Sequence, residues 1–321
     1  MDIRGSAARR RNPYQYGRGR EPRGDPSRVH LSLIHRIKVN DPYLKEMAVG
    51  DILKDKRTAA LLAKALRGNT NLKRLTFREY GYDMDHFNMV LDALPETRVV
   101  KIAVGPQSQM LSYDGTYAMT IGGRIPSLRS MIKLDLNSCH IGPEGAISLA
   151  AILTNNDTLK HLDIPENDIR DEGAVAIGHM LKKNRTLKEV VLDSNGITAY
   201  GQRALRNAIF DDSSFEAVVN SNHVLQSYFY NPRSVFGKSV MNDILSSHAA
   251  NLRSKTNEQA ATKKLKRVLK RKYRVDLQFE SFLSMESALL PLVLGWVSEK
   301  CDVNMMYQLG PILLNLIEGR G

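Results

Sequence analysis

Apolar positions in the middle of the chain recur with a period longer than any single strand or helix. Three segments align without a gap: MIKLDLNSCHIGPEGAISLAAIL from Met131, LKHLDIPENDIRDEGAVAIGHML from Leu159 and LKEVVLDSNGITAYGQRALRNAI from Leu187, each beginning 28 residues after the last. In each, apolar residues two apart (Leu134 and Leu136, Leu162 and Ile164, Val190 and Leu192) point to one face of a short strand. Cys139, Asn167 and Asn195 fall where the chain leaves the strand, where an amide or thiol can bond backbone groups that would otherwise be buried unpaired. Ile141, Ile169 and Ile197 plug the turn, and Gly145, Gly173 and Gly201 allow a helix to pack closely. Ala146, Leu149 and Leu153, repeated as Ala174, Ile177 and Leu181, trace the apolar stripe of that helix, so each unit reads strand, turn, helix.

The register extends in both directions with more noise. LKRLTF from Leu72 and VVKIAV from Val99 fit the strand, with Tyr80 and Gln107 at the asparagine position, and the helices before them read AALLAKAL and FNMVLDAL. A longer connection over about residues 105–127 interrupts the period. Downstream, Phe215, Val218, Asn220 and His223 predict a decayed last strand, which makes six strands between about residues 72 and 225. A single unit of this kind cannot bury its own apolar side, so the units must stack and the ends must be capped. The predicted organisation is an Arg-rich, unfolded head over 1–28, a helical N-terminal cap over 29–71, the repeat stack over 72–230 and a helical C-terminal domain over 231–321.

The 28-residue unit with a full helix resembles the ribonuclease-inhibitor type of leucine-rich repeat. That resemblance implies an α/β solenoid shaped as an open horseshoe, with a parallel sheet on the concave side and helices outside, used for binding proteins. It does not imply an enzyme, because the same fold hosts inhibitors, scaffolds, immune sensors and GTPase-activating proteins. The stretch from YFYNPR at Tyr228 to MMYQLGPILLNL resembles the C-terminal portion of repeat proteins abundant in diatoms and related algae.

Strand residues that are not buried must line the concave face. Unit by unit they are Arg74, Thr76 and Arg78; Lys101, Ala103 and Gly105; Lys133, Asp135 and Asn137; His161, Asp163 and Pro165; Glu189, Val191 and Asp193; Ala217, Val219 and Ser221. Nine of them, Arg74, Arg78, Lys101, Lys133, Asp135, His161, Asp163, Glu189 and Asp193, are the candidate partner-binding residues. The face grades from basic to acidic, which would orient a partner of complementary charge and speed its encounter more than tighten it. The plain alternative is a ladder of solvated ion pairs.

The formal charge of +12 is concentrated. The head holds eight arginines against three acids, and residues 263–274, KKLKRVLKRKYR, hold eight basic side chains and no acid, so the rest of the chain carries −1. A nucleic-acid footprint spread over the whole protein is thereby not supported, and any such role would belong to these two segments. Lys263, Lys264, Lys266, Arg267, Lys270, Arg271, Lys272 and Arg274 lie on a predicted amphipathic helix that could cap the stack, act as a nuclear import signal or dock on an anionic surface. Two further functions compete with protein binding. One is a GTPase-activating protein similar to the Ran regulator, although the tail here is basic where that protein's is acidic; the other is an RNA-associated protein using the head and the basic run.

Other chemistry finds little footing. Asp135 beside Asp163 invites an acid–base reading, but an open sheet provides no water-poor pocket. GKS at Gly237–Ser239 lacks the preceding glycine of a phosphate loop, since Pro232 stands there. The eight histidines form no ligand pair, and two cysteines, Cys139 and Cys301, suit neither a disulfide framework nor a zinc site. No cofactor, metal or membrane span is expected, and the chain reads as intracellular, cytoplasmic or nuclear.

Overall fold

The computed structural model describes residues 26–77, 83–104, 115–213 and 215–229, together with 256, 257, 259, 260, 263 and 264. Its strands are β1 (Glu46–Val49), β2 (Arg74–Phe77), β3 (Lys101–Val104), β4 (Lys133–Asp135), β5 (His161–Asp163), β6 (Glu189–Val191) and β7 (Ser227–Phe229). They form one parallel sheet in the order of the sequence. Between them run α1 (Pro26–Lys38), α2 (Lys56–Leu66), α3 (Met84–Leu91), α4 (Thr116–Arg124), α5 (Gly142–Leu153), α6 (Arg170–Lys183), α7 (Ala199–Ile209) and the short α8 (Phe215–Asn220). A parallel sheet needs a crossover between every pair of neighbours, and here the helix of each unit supplies it.

The interior follows the predicted register. Leu75, Ile102, Leu134, Leu162 and Val190 are paired strand to strand and are all buried, as are Leu136, Ile164 and Leu192 behind them. The helices add Ala146, Leu149 and Leu153, then Ala174, Ile177 and Leu181, to the same continuous core. Where the repeat is least regular, aromatic rings fill the space: Phe77 packs edge-on against Phe87 at 4.9 Å, and Phe87 against Tyr117 at 5.2 Å. The glycines do what the sequence expects. A methyl group on Gly173 would sit 2.8 Å from Cβ of Ala146 on the preceding helix, and one on Gly201 would sit 2.9 Å from Cβ of Ala174.

Four expectations are corrected. The N-terminal cap is not wholly helical, because Met47 and Val49 enter the core from β1, which pairs with β2 from Glu46↔Arg74 to Val49↔Phe77 and makes seven strands where six were expected. The strand carries the repeat spacing, Leu44, Met47 and Val49 standing 28 residues before Leu72, Leu75 and Phe77, so the register extends one unit further upstream than the sequence reading took it. The connection at 105–127 contains the unit's own helix, α4, with Ile121 in the core. Phe215–Asn220 is helix rather than the last strand, so Ala217, Val219 and Ser221 are not concave residues; β7 takes that place ten residues later, with Glu189↔Ser227 and Val191↔Phe229. The insertion closes on itself, Asn222 N donating to Ala208 O at 2.7 Å and Asp211 N to Ser221 Oγ at 3.0 Å. Helix α1 also begins at Pro26, inside the stretch assigned to the head, with proline at the first helical position where its missing N–H costs nothing. Apart from residues 256, 257, 259, 260, 263 and 264, the predicted C-terminal helical domain, and with it most of the diatom-like stretch beyond β7, lies outside the described residues.

Candidate functional site

The free face of the sheet is built from the strand positions that alternate with the core. Cα pairing places Glu46, Arg74, Lys101, Lys133, His161, Glu189 and Ser227 side by side across seven strands. Five predicted residues therefore form one row. A second row runs Ala48, Thr76, Ala103, Asp135, Asp163 and Val191, and brings together the two predicted aspartates. Asp193 lies just past β6, where its carbonyl accepts from Glu166 N at 2.8 Å. Arg78 falls outside the described residues.

The charges are matched across the strands. Arg74 pairs with Glu46 at 2.9 Å, Lys101 reaches diagonally to Asp135 at 3.5 Å, Lys133 makes the same diagonal to Asp163, and His161 Nδ1 meets Glu189 Oε2 at 2.7 Å. The aspartates are buried beneath these lysines, Asp135 at 6% exposure and Asp163 at 9%. Burial pushes the Asp135 carboxyl above its ordinary value, and Asp163 adds to the push while Lys101 and Lys133 pull it down. This corrects the expected gradient: the middle of the face presents lysine and histidine over covered acids, and Glu189 carries the exposed negative charge at the far end. The outer pairs, Arg74 with Glu46 and His161 with Glu189, are exposed enough to contribute roughly 0–1 kcal/mol each.

The turn beside the face is held by side chains that the sequence identified. Asn167 Oδ1 accepts from Cys139 N at 2.8 Å and its Nδ2 donates to Leu136 O at 2.8 Å, while Asn195 repeats both contacts one unit on, to Asn167 N and Ile164 O, each at 2.8 Å. The chain needs left-handed backbone at Ser138, His140, Glu166, Asp168, Arg170 and Ser194, and the asparagine bonds hold it there. Cys139 is buried at the start of this ladder, and burial, with a smaller push from Asp135, raises its thiol to about 12. It is structural and unreactive.

The residues 127–150 and 155–178 match the family described as "Leucine Rich repeat". The stack is a leucine-rich-repeat solenoid. A search of curated proteins finds no match to its sequence. Among solved structures it is similar to leiomodin-1 actin-binding site 2, at 15% identity and TM-score 0.33 over 76% of this chain and 96% of that one. It is also similar to the tropomodulin C-terminal domain of Caenorhabditis elegans, at 11% identity and TM-score 0.28 over 76% and 98%. Likeness at these TM-scores carries no argument about what the solenoid binds.

A second asparagine series, at the opposite end of the strands, escaped the sequence reading. Asn69, Asn156, Asn184 and Asn222 each accept, through Oδ1, from the backbone N–H of the leucine three residues on, at 2.7, 2.8, 2.8 and 2.7 Å. Their signal is the spacing N-x-x-L at Asn69–Leu72, Asn156–Leu159, Asn184–Leu187 and Asn222–Leu225, with the strand starting two residues later. That spacing places the last strand at Ser227, where the structure has it.

Of the basic run, Lys263 is exposed and Lys264 is not: at 2% exposure it cannot serve the anionic-surface role expected of it. Lys266, Arg267, Lys270, Arg271, Lys272 and Arg274 lie outside the described residues. Among the described residues no cluster of His, Cys, Asp or Glu could hold a metal ion, and no helix is long and apolar enough to cross a membrane.

Proposed function

We propose that the solenoid, of the ribonuclease-inhibitor type, is a non-enzymatic protein-binding module of the cell interior that grips its partner across the concave sheet. The observation that carries the reading is the continuous row Glu46, Arg74, Lys101, Lys133, His161, Glu189, set one strand apart, about 4.8 Å, and part-exposed along its length. Such a row is fixed by a rigid scaffold, so little side-chain or backbone freedom is lost on binding. Its cations over covered acids suit a partner whose surface carries acidic side chains towards β2–β4 and a base opposite Glu189.

The test is capture from the protein's own cell extract with three forms of the full chain: wild type, a concave variant carrying R74E and K133E, and a control carrying K183E on the exposed side of α6. A partner held by wild type and the control and lost by the concave variant is the expected result. Equal retention by all three, with circular dichroism unchanged, rejects the concave face as the binding surface.

A further inference from the structure

The ends of α5 and α6 are closed in the same way, and the end of α7 is closed in that way by unusual means. Asn184 Nδ2 donates to Leu153 O, the last residue of α5, at 2.7 Å and to Asn156 O at 3.0 Å. One unit later Asn222 Nδ2 donates to Leu181 O at 2.7 Å and to Asn184 O at 3.0 Å. The next acceptors in the series are Ile209 O, which ends α7, and Asn222 O. Both are met by one atom, Nζ of Lys264, at 2.7 Å each. Leu153, Leu181 and Ile209 are the same position of successive repeats. Lys264 therefore sits where a further repeat would have placed its asparagine amide, although 42 residues of chain separate it from Asn222.

We propose that Lys264 is a latch that closes the C-terminal end of the solenoid: its side-chain nitrogen, offering two N–H groups to Ile209 O and Asn222 O, holds the segment that carries it against the last repeat, and the latch loosens when that nitrogen takes up a third proton. The inference is independent of what the concave face binds. An amide nitrogen and a neutral amine each carry two N–H groups, and the seat has two acceptors; an ammonium carries three. The third N–H finds no acceptor among the described residues, and a buried charge without full pairing is costly.

Among the described residues, the groups around the seat supply no counter-charge. On the elements packed there, Lys182 is paired with Asp211 and Arg206 with Asp212. Arg185 pushes against a charge on Lys264, and His223 lies next to Asn222 and is also buried. Burial first, and Arg185 second, bring the Lys264 amine down from 10.5 to about 7. Linkage sets the sign. Released, the amine keeps its proton up to 10.5, whereas docked it gives the proton up above about 7, so between these values the released state binds more protons and docking strengthens as pH rises. Below about 7 both states are protonated and docking carries the full cost of a buried ammonium.

Hydrogen exchange of the full chain between pH 6 and 9 tests this, read at residues 256–264 and at the 222–225 turn and corrected for intrinsic exchange. Wild type is expected to show protection that is flat below about pH 7 and rises up to about tenfold per unit above it. K264M should show lower protection without that slope, and H223Q should keep the wild-type profile. A flat wild type, a slope retained in K264M, or a slope abolished by H223Q overturns the proposal. Should K264M fail to fold, carbon-13 titration of the lysine side chains in wild type decides: one lysine titrating near 7 supports the latch, and all of them titrating near their ordinary value overturns it.

Discussion

A single asparagine carries a disproportionate share of each turn. Asn195 bonds two N–H groups, of Asn167 at 2.8 Å and Ile169 at 3.4 Å, and donates to the carbonyls of Ile164 and Leu192 at 2.8 and 2.9 Å. These groups belong to two adjacent repeats, so the side chain is a clamp between units as well as a turn former. Asn195→Ala leaves four buried backbone groups short of a partner at about 1–3 kcal/mol each, partly relieved if water enters. Urea denaturation should show a loss of about 3 kcal/mol or more, and a loss under about 1 kcal/mol would mean that water replaces the amide without difficulty. The residue type and its 28-residue spacing were legible in the sequence, and with them the role of Asn167 and Asn195. Lys264 was not. Nothing local distinguishes it from its seven basic neighbours, because its role is set by acceptors 42 and 55 residues away.

At the level of elements, the helices approach one another through glycine facing alanine. Gly173 faces Ala146 and Gly201 faces Ala174, and no side chain larger than hydrogen fits without moving a helix. Gly173→Ala should cost about 1–3 kcal/mol through overpacking. Gly68→Ala, with nothing within 4 Å and no left-handed backbone, should be neutral or gain up to about 1 kcal/mol by restricting the unfolded chain. Thermal unfolding of the two variants side by side checks the contrast, and equal effects would refute the close-approach argument. The strands show where pattern reading fails. Phe215 and Val218 mimic the start of a strand but belong to α8, since apolar residues three apart satisfy a helix as well as the spacing of this repeat. The misreading arises from ten extra residues between α7 and Asn222, and the N-x-x-L spacing survives that insertion because it is tied to the strand and not to the period.

Across the whole molecule, stability is shared between neighbours because each unit's apolar side is covered by the next. Leu162 lies in the middle of the stack, 1% exposed, between Leu134 and Val190. Leu162→Ala should cost about 2–5 kcal/mol, and native-state hydrogen exchange should show protection falling in β4 and β6 as well as in β5. Loss confined to β5 would mean that the units are energetically separate. The sequence by itself determined the repeat, its strand–turn–helix order, the buried positions and the rows that face away from the core, because a periodic pattern of apolar residues has one way of hiding from water. Tertiary structure decided the rest. It added β1 to the edge of the sheet, moved the last strand past an insertion, laid Lys101 and Lys133 over Asp135 and Asp163, and seated Lys264 at the end of the stack. Each of these depends on pairing between residues far apart in the chain; β1 and β7 left a local trace, in Leu44, Met47 and Val49 and in the Asn222–Leu225 spacing, whereas the lysine–aspartate pairs and the seat of Lys264 left none, because there the free energy belongs to the contact alone.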